Sequence, residues 1–127
     1  DHADWDLGSG NWTISAWVME TKVTDDGEVF IAATDNAAGW QVRDKDNKFE
    51  FYDFTDGESF DSGFTVVIDT WYHIAVVRNG NTLYWYVDGV EEATQDCTGD
   101  SFPDNSDGLS IGRRGSDADK YIEGFMD

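Results

Sequence analysis

Residues Trp71–Gly89, with the sequence WYHIAVVRNGNTLYWYVDG, constrain the fold of this chain more than any other stretch, because they are typical of two strands joined by a tight turn. Side chains alternate between the faces of a strand, so Trp71 and His73 share one face of the first strand. Both faces of this first strand are largely apolar, which predicts a central strand covered on both sides, as in a two-sheet sandwich. The Asn79-Gly80 pair supplies the positive φ angles of a two-residue turn, and Asp88-Gly89 predicts a second reversal.

Other strand patterns follow one another at short spacing along the chain. They cover Asn11–Glu20, Val29–Thr34, Trp40–Arg43, Lys48–Phe54, Phe64–Ile68, Val90–Thr94, Leu109–Gly112 and Tyr121–Met126. In the first of them Trp12 and Val18 fall on one face and Trp17 on the other. Thr55–Gly63 is interpreted as an acidic loop. No window has sustained helical periodicity, so the sequence predicts an all-β, antiparallel two-sheet sandwich or jelly roll.

The chain has 127 residues, which predicts one domain spanning 1–127. It begins at Asp1 without a methionine and is therefore expected to be a fragment of a larger protein. Six Trp, eight Phe and five Tyr predict a core rich in aromatic rings. The single cysteine, Cys97, cannot form an internal disulfide and is interpreted as a free thiol in the Gln95–Asp107 loop.

The formal net charge of −19 argues against nucleic acid and anionic membranes as partners, because both carry the same sign of charge. Neutral or cationic partners and hard cations remain, although an acidic surface equally fits simple solubility or a saline habitat. The chain has no apolar run long enough to insert into a bilayer.

Five ordered stretches resemble one family. The chain is similar to a laminin G-like domain of the concanavalin A-like lectin/glucanase superfamily, a group that includes the pentraxins, in the stretches WTISAWV (12–18), WYHIAV (71–76), LYWYVDG (83–89), LSIG (109–112) and YIEGFMD (121–127). The resemblance implies a jelly-roll sandwich and a capacity to bind glycans, proteins or calcium. Family members continue with a further strand beyond the position of Asp127, so an uncovered edge with weak self-association is expected.

The glucanases of this superfamily use two carboxylates on one face of a strand, about 5–5.5 Å apart when the mechanism is retaining. Glu50 has Tyr52 instead of a second acid at the alternate position, and Glu91 and Glu92 point to opposite faces. His73 is interpreted as a packed side chain and not as a catalytic base. The sequence therefore predicts a protein that is not an enzyme.

The resemblance to pentraxins implies a candidate calcium site. Asp35 and Asn36 follow the VFIAAT strand at the place where pentraxins carry a calcium-binding Asp-Asn pair, and Asp117 or Asp119 of the RRGSDADKY loop could complete the ligand set. Arg113 and Arg114 occupy positions where additional acidic side chains would favour calcium binding. The alternative is that these acids are solvated loop residues.

Sugar binding requires an aromatic platform beside hydrogen-bonding side chains. The aromatic candidates are Trp17, Trp40, Tyr52, Trp85 and Tyr86. We expect Trp40 to be exposed, with Gln41 beside it, and take Trp40, Gln41 and Trp85 as the candidate ligand-binding residues. The hypothesis is a non-catalytic glycan-binding module, with calcium as a cofactor, in an extracellular, cell-surface or virion protein. The alternative is a structural or protein-binding module of a virion, tail or cell surface without a sugar ligand.

Overall fold

The computed structural model describes residues 5–22, 27–34, 37–103, 108–114 and 121–127, and these form a sandwich of two antiparallel five-stranded sheets with no α-helix. The strands are β1 (Trp12–Glu20), β2 (Val29–Thr34), β3 (Gly39–Lys45), β4 (Lys48–Asp53), β5 (Glu58–Thr65), β6 (Tyr72–Asn79), β7 (Thr82–Val87), β8 (Val90–Asp96), β9 (Ser110–Ile111) and β10 (Gly124–Met126). The predicted fold class is confirmed. In the described part of the chain, no helix has the length and hydrophobicity needed to cross a membrane.

The first sheet has the strand order β10-β1-β6-β7-β8, and the second has the order β5-β4-β3-β2-β9. The predicted hairpin lies in the interior of the first sheet, since β6 pairs with β1 on one side and with β7 on the other. Its turn lies one residue later than predicted. Asn79 pairs with Thr82, so the two turn residues are Gly80 and Asn81, with Gly80 at a φ of 61°. A glycine with positive φ at the first turn position is what such a tight hairpin requires.

Strand β5 differs from the prediction, which placed a loop at 55–63 and a strand at 64–68. The observed strand begins at Glu58, and its side chains alternate from Ser59 onward: Phe60 and Ser62 are buried while Ser59 and Asp61 are exposed. Asp61 accepts a hydrogen bond from Lys48 Nζ at 3.1 Å. An edge strand has one face exposed to solvent, and that face tolerates acidic residues. The acidic composition of residues 55–63 therefore indicated a loop wrongly.

The core is centred on Phe49, a fully buried side chain of the second sheet. Its ring lies 6.4 Å from the ring of Trp85 and 5.8 Å from that of Tyr72, both of the first sheet, and 5.9 Å from that of Phe30. Trp85 Nε1 donates a hydrogen bond of 2.8 Å to the backbone carbonyl of Phe60, which satisfies its one polar atom. The two sheets are therefore joined by aromatic packing and one buried hydrogen bond.

Arg78 stabilises one end of the sandwich through hydrogen bonds, and its charged side chain is almost completely buried. Its guanidinium donates to four backbone carbonyls: those of Gly80 (3.1 Å), Gly8 (3.3 Å), Asp100 (2.8 Å) and Cys97 (3.3 Å). Cys97 is itself buried directly after β8, and this burial raises the pKa of its thiol. One side chain thus connects the N-terminal segment, a hairpin turn and the loop that follows β8.

We expect Arg78→Met to lower the free energy of unfolding by roughly 3 kcal/mol or more, because the four carbonyls lose a charged donor. Arg78→Lys should recover only part of this loss, since an ammonium group lacks the planar fork of donors. Urea unfolding followed by tryptophan fluorescence measures both changes. A loss below about 1 kcal/mol for Arg78→Met would contradict the role assigned to this residue.

Gly39 begins β3 at a φ of 95°, and a Cβ atom there would lie 2.0 Å from the carbonyl oxygen of Ala33. We expect Gly39→Ala to cost about 4 kcal/mol or to prevent folding, because the obstructing atom is backbone. Gly57 is the matched control: its φ is 72°, and a Cβ atom there would have no other atom within 4 Å. Gly57→Ala should cost only about 1–2 kcal/mol of backbone strain. Equal urea midpoints for the two variants would refute this difference.

Candidate functional site

The three predicted ligand-binding residues all lie inside the molecule. Trp40, Gln41 and Trp85 are 2%, 0% and 0% exposed. The expectation that Trp40 is exposed is wrong, because it faces the opposite sheet from an interior strand, where its ring stacks 6.2 Å from that of Phe51. Its indole N–H donates to the carbonyl of Trp5 at 3.1 Å. None of the three presents a free face on which a sugar ring could stack.

The predicted calcium ligands Asp35, Asn36 and Asp117 lie outside the described residues. The calcium hypothesis is therefore carried forward as a prediction. Within the described ranges, no group of three Asp, Glu, His or Cys side chains already stands at the spacing of ligands around a bound metal ion.

Exposed aromatic rings gather on the outer face of the first sheet. Trp17, Trp71 and Phe125 are 48%, 42% and 57% exposed, and together with His73 and Asp127 they form a surface that we call the aromatic groove. A half-exposed tryptophan leaves apolar ring area in water, and several such rings on one face indicate a binding surface.

Strand pairing fixes the relative positions of these residues. Trp17 of β1 stands opposite His73 of β6, and on its other side its N–H and carbonyl exchange hydrogen bonds of 2.8 and 2.9 Å with Asp127. Phe125 lies opposite Met19, and this is the next residue pair after Trp17 and Asp127 on the same face of the sheet. Since alternate residues of a strand share a face, Phe125 and Asp127 project outward while Met126 packs against the core.

The space between the two tryptophans is shallow and small. Trp17, Trp71 and Asp127 line a hollow of about 240 Å³. The ring of His73 supports Trp17 at 5.3 Å, and Phe125 supports Trp71 at 6.5 Å. Pockets for drug-sized ligands occupy roughly 300–1,000 Å³, so this hollow suits a single small ring. It offers apolar faces for stacking, with carboxylate oxygens that can accept hydrogen bonds from hydroxyl groups.

The same face continues across the sheet toward β7. Tyr86 stands opposite Ala75, and its ring stacks on Tyr84 with centroids 6.3 Å apart and planes 20° from parallel. Both tyrosines are partly exposed. A ligand longer than one ring could therefore extend from the aromatic groove over small side chains to a second pair of aromatic rings.

Two other hollows have different properties. The one lined by Asp53, Glu58 and Asp100 holds about 10 Å³, space for no more than a single water molecule. A second, of about 310 Å³, lies at Asn11 and Arg78 and is wide open. Neither is lined by an aromatic ring as exposed as those of the aromatic groove.

The sequence contained part of the signal for the aromatic groove. Trp17 is among the aromatic candidates, it lies on the face of β1 opposite to Trp12 and Val18, and Trp71 and His73 share one face. His73 is packed as predicted, although on the outer face against Trp17. The pairing of β1 with both β6 and β10, which joins these residues, could not be read from local patterns.

Comparison with known proteins identifies relatives of this fold. A candidate carbohydrate-binding protein from Bacteroides ovatus matches with a TM-score of 0.79 at 20% identity, over 94% of this chain and 36% of that chain. Domain 4 of AbnA, an extracellular GH43 arabinanase of Geobacillus stearothermophilus solved with arabinotriose, matches with a TM-score of 0.69 at 15% identity, over 94% and 58%. The receptor-binding domain of a botulinum neurotoxin C/D mosaic serotype matches with 0.61 at 14%, over 80% and 27%.

The chain thus spans about a third of the first of these structures and somewhat over half of the second. At these identities the likeness shows a common fold. No curated protein matched the sequence. The family model described as the concanavalin A-like lectin/glucanases superfamily, of laminin G type, matches residues 1–127, which confirms the predicted family. The chain belongs to the laminin G-type family of the concanavalin A-like lectin/glucanases superfamily.

Proposed function

We propose that this chain is a non-catalytic module that binds neutral glycans through the aromatic groove. The observation that carries the proposal is the pair of half-exposed tryptophans, Trp17 and Trp71, which line a hollow together with the acidic residue Asp127. Sugar rings combine an apolar face with a rim of hydroxyls, and this surface complements both. The relatives named as carbohydrate-binding or solved with arabinotriose support the same class of ligand.

Charge narrows the range of glycans. The net charge of −19 and the acidic group in the hollow disfavour sialylated, sulfated and uronic acid chains, because like charges repel. Neutral pentose or hexose oligosaccharides are therefore the expected ligands. We place the module in an extracellular, cell-surface or virion protein, as the extracellular arabinanase and the toxin domain suggest. Weak self-association through an edge strand remains a prediction.

A protein partner is the second candidate. Val67 and Ile68, shortly before Trp71 in the chain, are also exposed, and they add to the apolar surface of the molecule. Large exposed apolar patches mark protein interfaces as well as ligand grooves. A partner that protects these residues in hydrogen exchange, together with a negative glycan screen, would favour this second function.

Trp17→Ala and Trp71→Ala are each expected to weaken glycan binding roughly tenfold or more, about 1.4 kcal/mol, through the lost stacking surface. Trp5→Ala is the matched control, because Trp5 is also 42% exposed but lies beside Trp40 of the second sheet. A screen of neutral oligosaccharides identifies the ligand, and titration calorimetry then measures its affinity for each variant. If Trp17→Ala and Trp71→Ala bound the glycan as tightly as the wild type while Trp5→Ala lost affinity, the aromatic groove would not be the binding site.

Calcium at Asp35, Asn36 and Asp117 is a separate proposal. If the ion is required for glycan binding, a chelator should weaken that binding and Asp35→Ala should reproduce the effect. Readdition of calcium should restore the wild type and not the variant. Binding that is insensitive to the chelator would refute calcium dependence while leaving the groove itself intact.

A further inference from the structure

Three carboxyl groups are buried together near one end of the sandwich, and we call them the carboxyl cluster. Glu20 is the last residue of β1 in the first sheet, Asp44 lies in β3 of the second sheet, and Glu28 directly precedes β2. They are 1%, 0% and 3% exposed. Acidic side chains are almost never buried to this degree unless they are paired.

Most oxygens of this cluster lack partners. Both carboxylate oxygens of Glu20 and Oε1 of Glu28 are shielded from solvent and accept no hydrogen bond. The Asp44 oxygens are shielded as well, and the backbone N–H of Asn47 interacts with this carboxylate. The second oxygen of Glu28 accepts the backbone N–H of Glu123 at 3.0 Å. A buried polar atom without a partner is costly and indicates a missing ligand or ion. Here the shielded oxygens come from three separate chain segments.

The electrostatic environment of the cluster is strongly negative. Burial, and then the charges of Asp44 and Glu28, raise the pKa of Glu20 to about 9. Burial, and then the charges of Glu28, Asp46 and Glu50, raise the pKa of Asp44 to about 7, and a hydrogen bond from the backbone N–H of Asn47 opposes this rise.

Burial also raises the pKa of Glu28, and the negative charge of Glu123 adds to this effect. The hydrogen bond from the Glu123 N–H and the positive charge of Lys22 oppose it. The amine of Lys22 is exposed and bonds to the Glu123 carboxylate at 3.4 Å. No basic side chain forms an ion pair with Glu20, Glu28 or Asp44 among the residues that the structure describes.

We propose that Glu20, Glu28 and Asp44 bind one divalent cation of the calcium class between the two sheets. Hard divalent cations are bound by six to eight oxygens, and carboxylates supply both the ligand atoms and the opposite charge. The cation would give the unpartnered oxygens a common partner and relieve the mutual repulsion of the three groups. This site is distinct from the one proposed at Asp35, Asn36 and Asp117, and it does not depend on glycan binding.

Backbone hydrogen bonds connect the segments that carry the cluster. The Asp44 N–H donates to the Glu28 carbonyl at 2.8 Å, and the Glu20 carbonyl accepts the N–H of Asp69 at 2.7 Å. The three carboxyl groups do not already stand at the spacing of metal ligands. Ion binding must therefore draw the side chains together, and Glu20 and Glu28 are long enough to adapt.

The test is thermal unfolding of the full chain, stripped with a chelator and then titrated with calcium or magnesium chloride near neutral pH. At calcium concentrations about a hundred times the Kd, the Tm should rise by roughly 5–10 °C. Glu20→Gln and Asp44→Asn should each abolish this rise. Both substitutions keep the shape of the side chain and leave no carboxyl group to be ionised at the buried position, so the metal-free variants should be at least as stable as the metal-free wild type.

Two controls locate the ion. Glu92→Gln removes an exposed acid of β8, and Asp35→Asn removes the predicted ligand of the other calcium site. Both variants should keep the calcium-dependent rise, and equilibrium dialysis should show one ion fewer bound to Asp44→Asn than to Glu92→Gln. An unchanged rise in Glu20→Gln and Asp44→Asn, or its loss in Asp35→Asn alone, would overturn the proposal.

A cluster that is neutralised by protons instead of a cation gives a different result. The native state would then hold protons that the unfolded chain releases above its ordinary carboxyl pKa values. Stability would fall steadily as the pH rises from about 5 toward about 9, and neither cation would change the Tm. That outcome would also overturn the proposal.

Discussion

The packing of Phe49 against Trp85 and Tyr72 is the contact on which the sandwich depends, because it joins the two sheets through rings buried on their inner faces. Trp85 can occupy this position only because its N–H reaches the carbonyl of Phe60. An indole without that acceptor would add a buried unsatisfied donor to the core. Once the inner face of the first sheet is filled with aromatic rings, a tryptophan one position away from an inward-facing residue lies on the outer face.

The aromatic groove follows from this constraint. Trp17 is one residue away from the inward-facing Val18, so the register that buries Val18 exposes Trp17. The same parity places Trp71 on the outer face beside the buried Tyr72. A slip of one residue in β1 would bury Trp17 and expose the core positions, and the register is therefore specified strongly. The core and the aromatic groove thus depend on one alternation of side chains.

The sequence allowed the fold to be predicted because strand alternation and turn pairs are local signals, most clearly in the hairpin and in β1. It failed where the outcome depends on which strands become neighbours. Trp40 was expected at the surface because polar residues surround it in the sequence, yet β3 is an interior strand that faces the core there. The carboxyl cluster likewise could not be predicted from the sequence, because Glu20, Glu28 and Asp44 come together only when both sheets have formed.

The burial of Cys97 makes this residue an internal reporter on one rim of the sandwich. Its backbone carbonyl accepts a hydrogen bond from Arg78, and its thiol is shielded from solvent. A thiol reagent can reach the sulfur only when the segment after β8 opens, so the labelling rate measures the free energy of that local opening. With no second cysteine in the chain, the signal is unambiguous without any engineered probe. The rim can therefore be followed separately from global unfolding, which the buried tryptophans report.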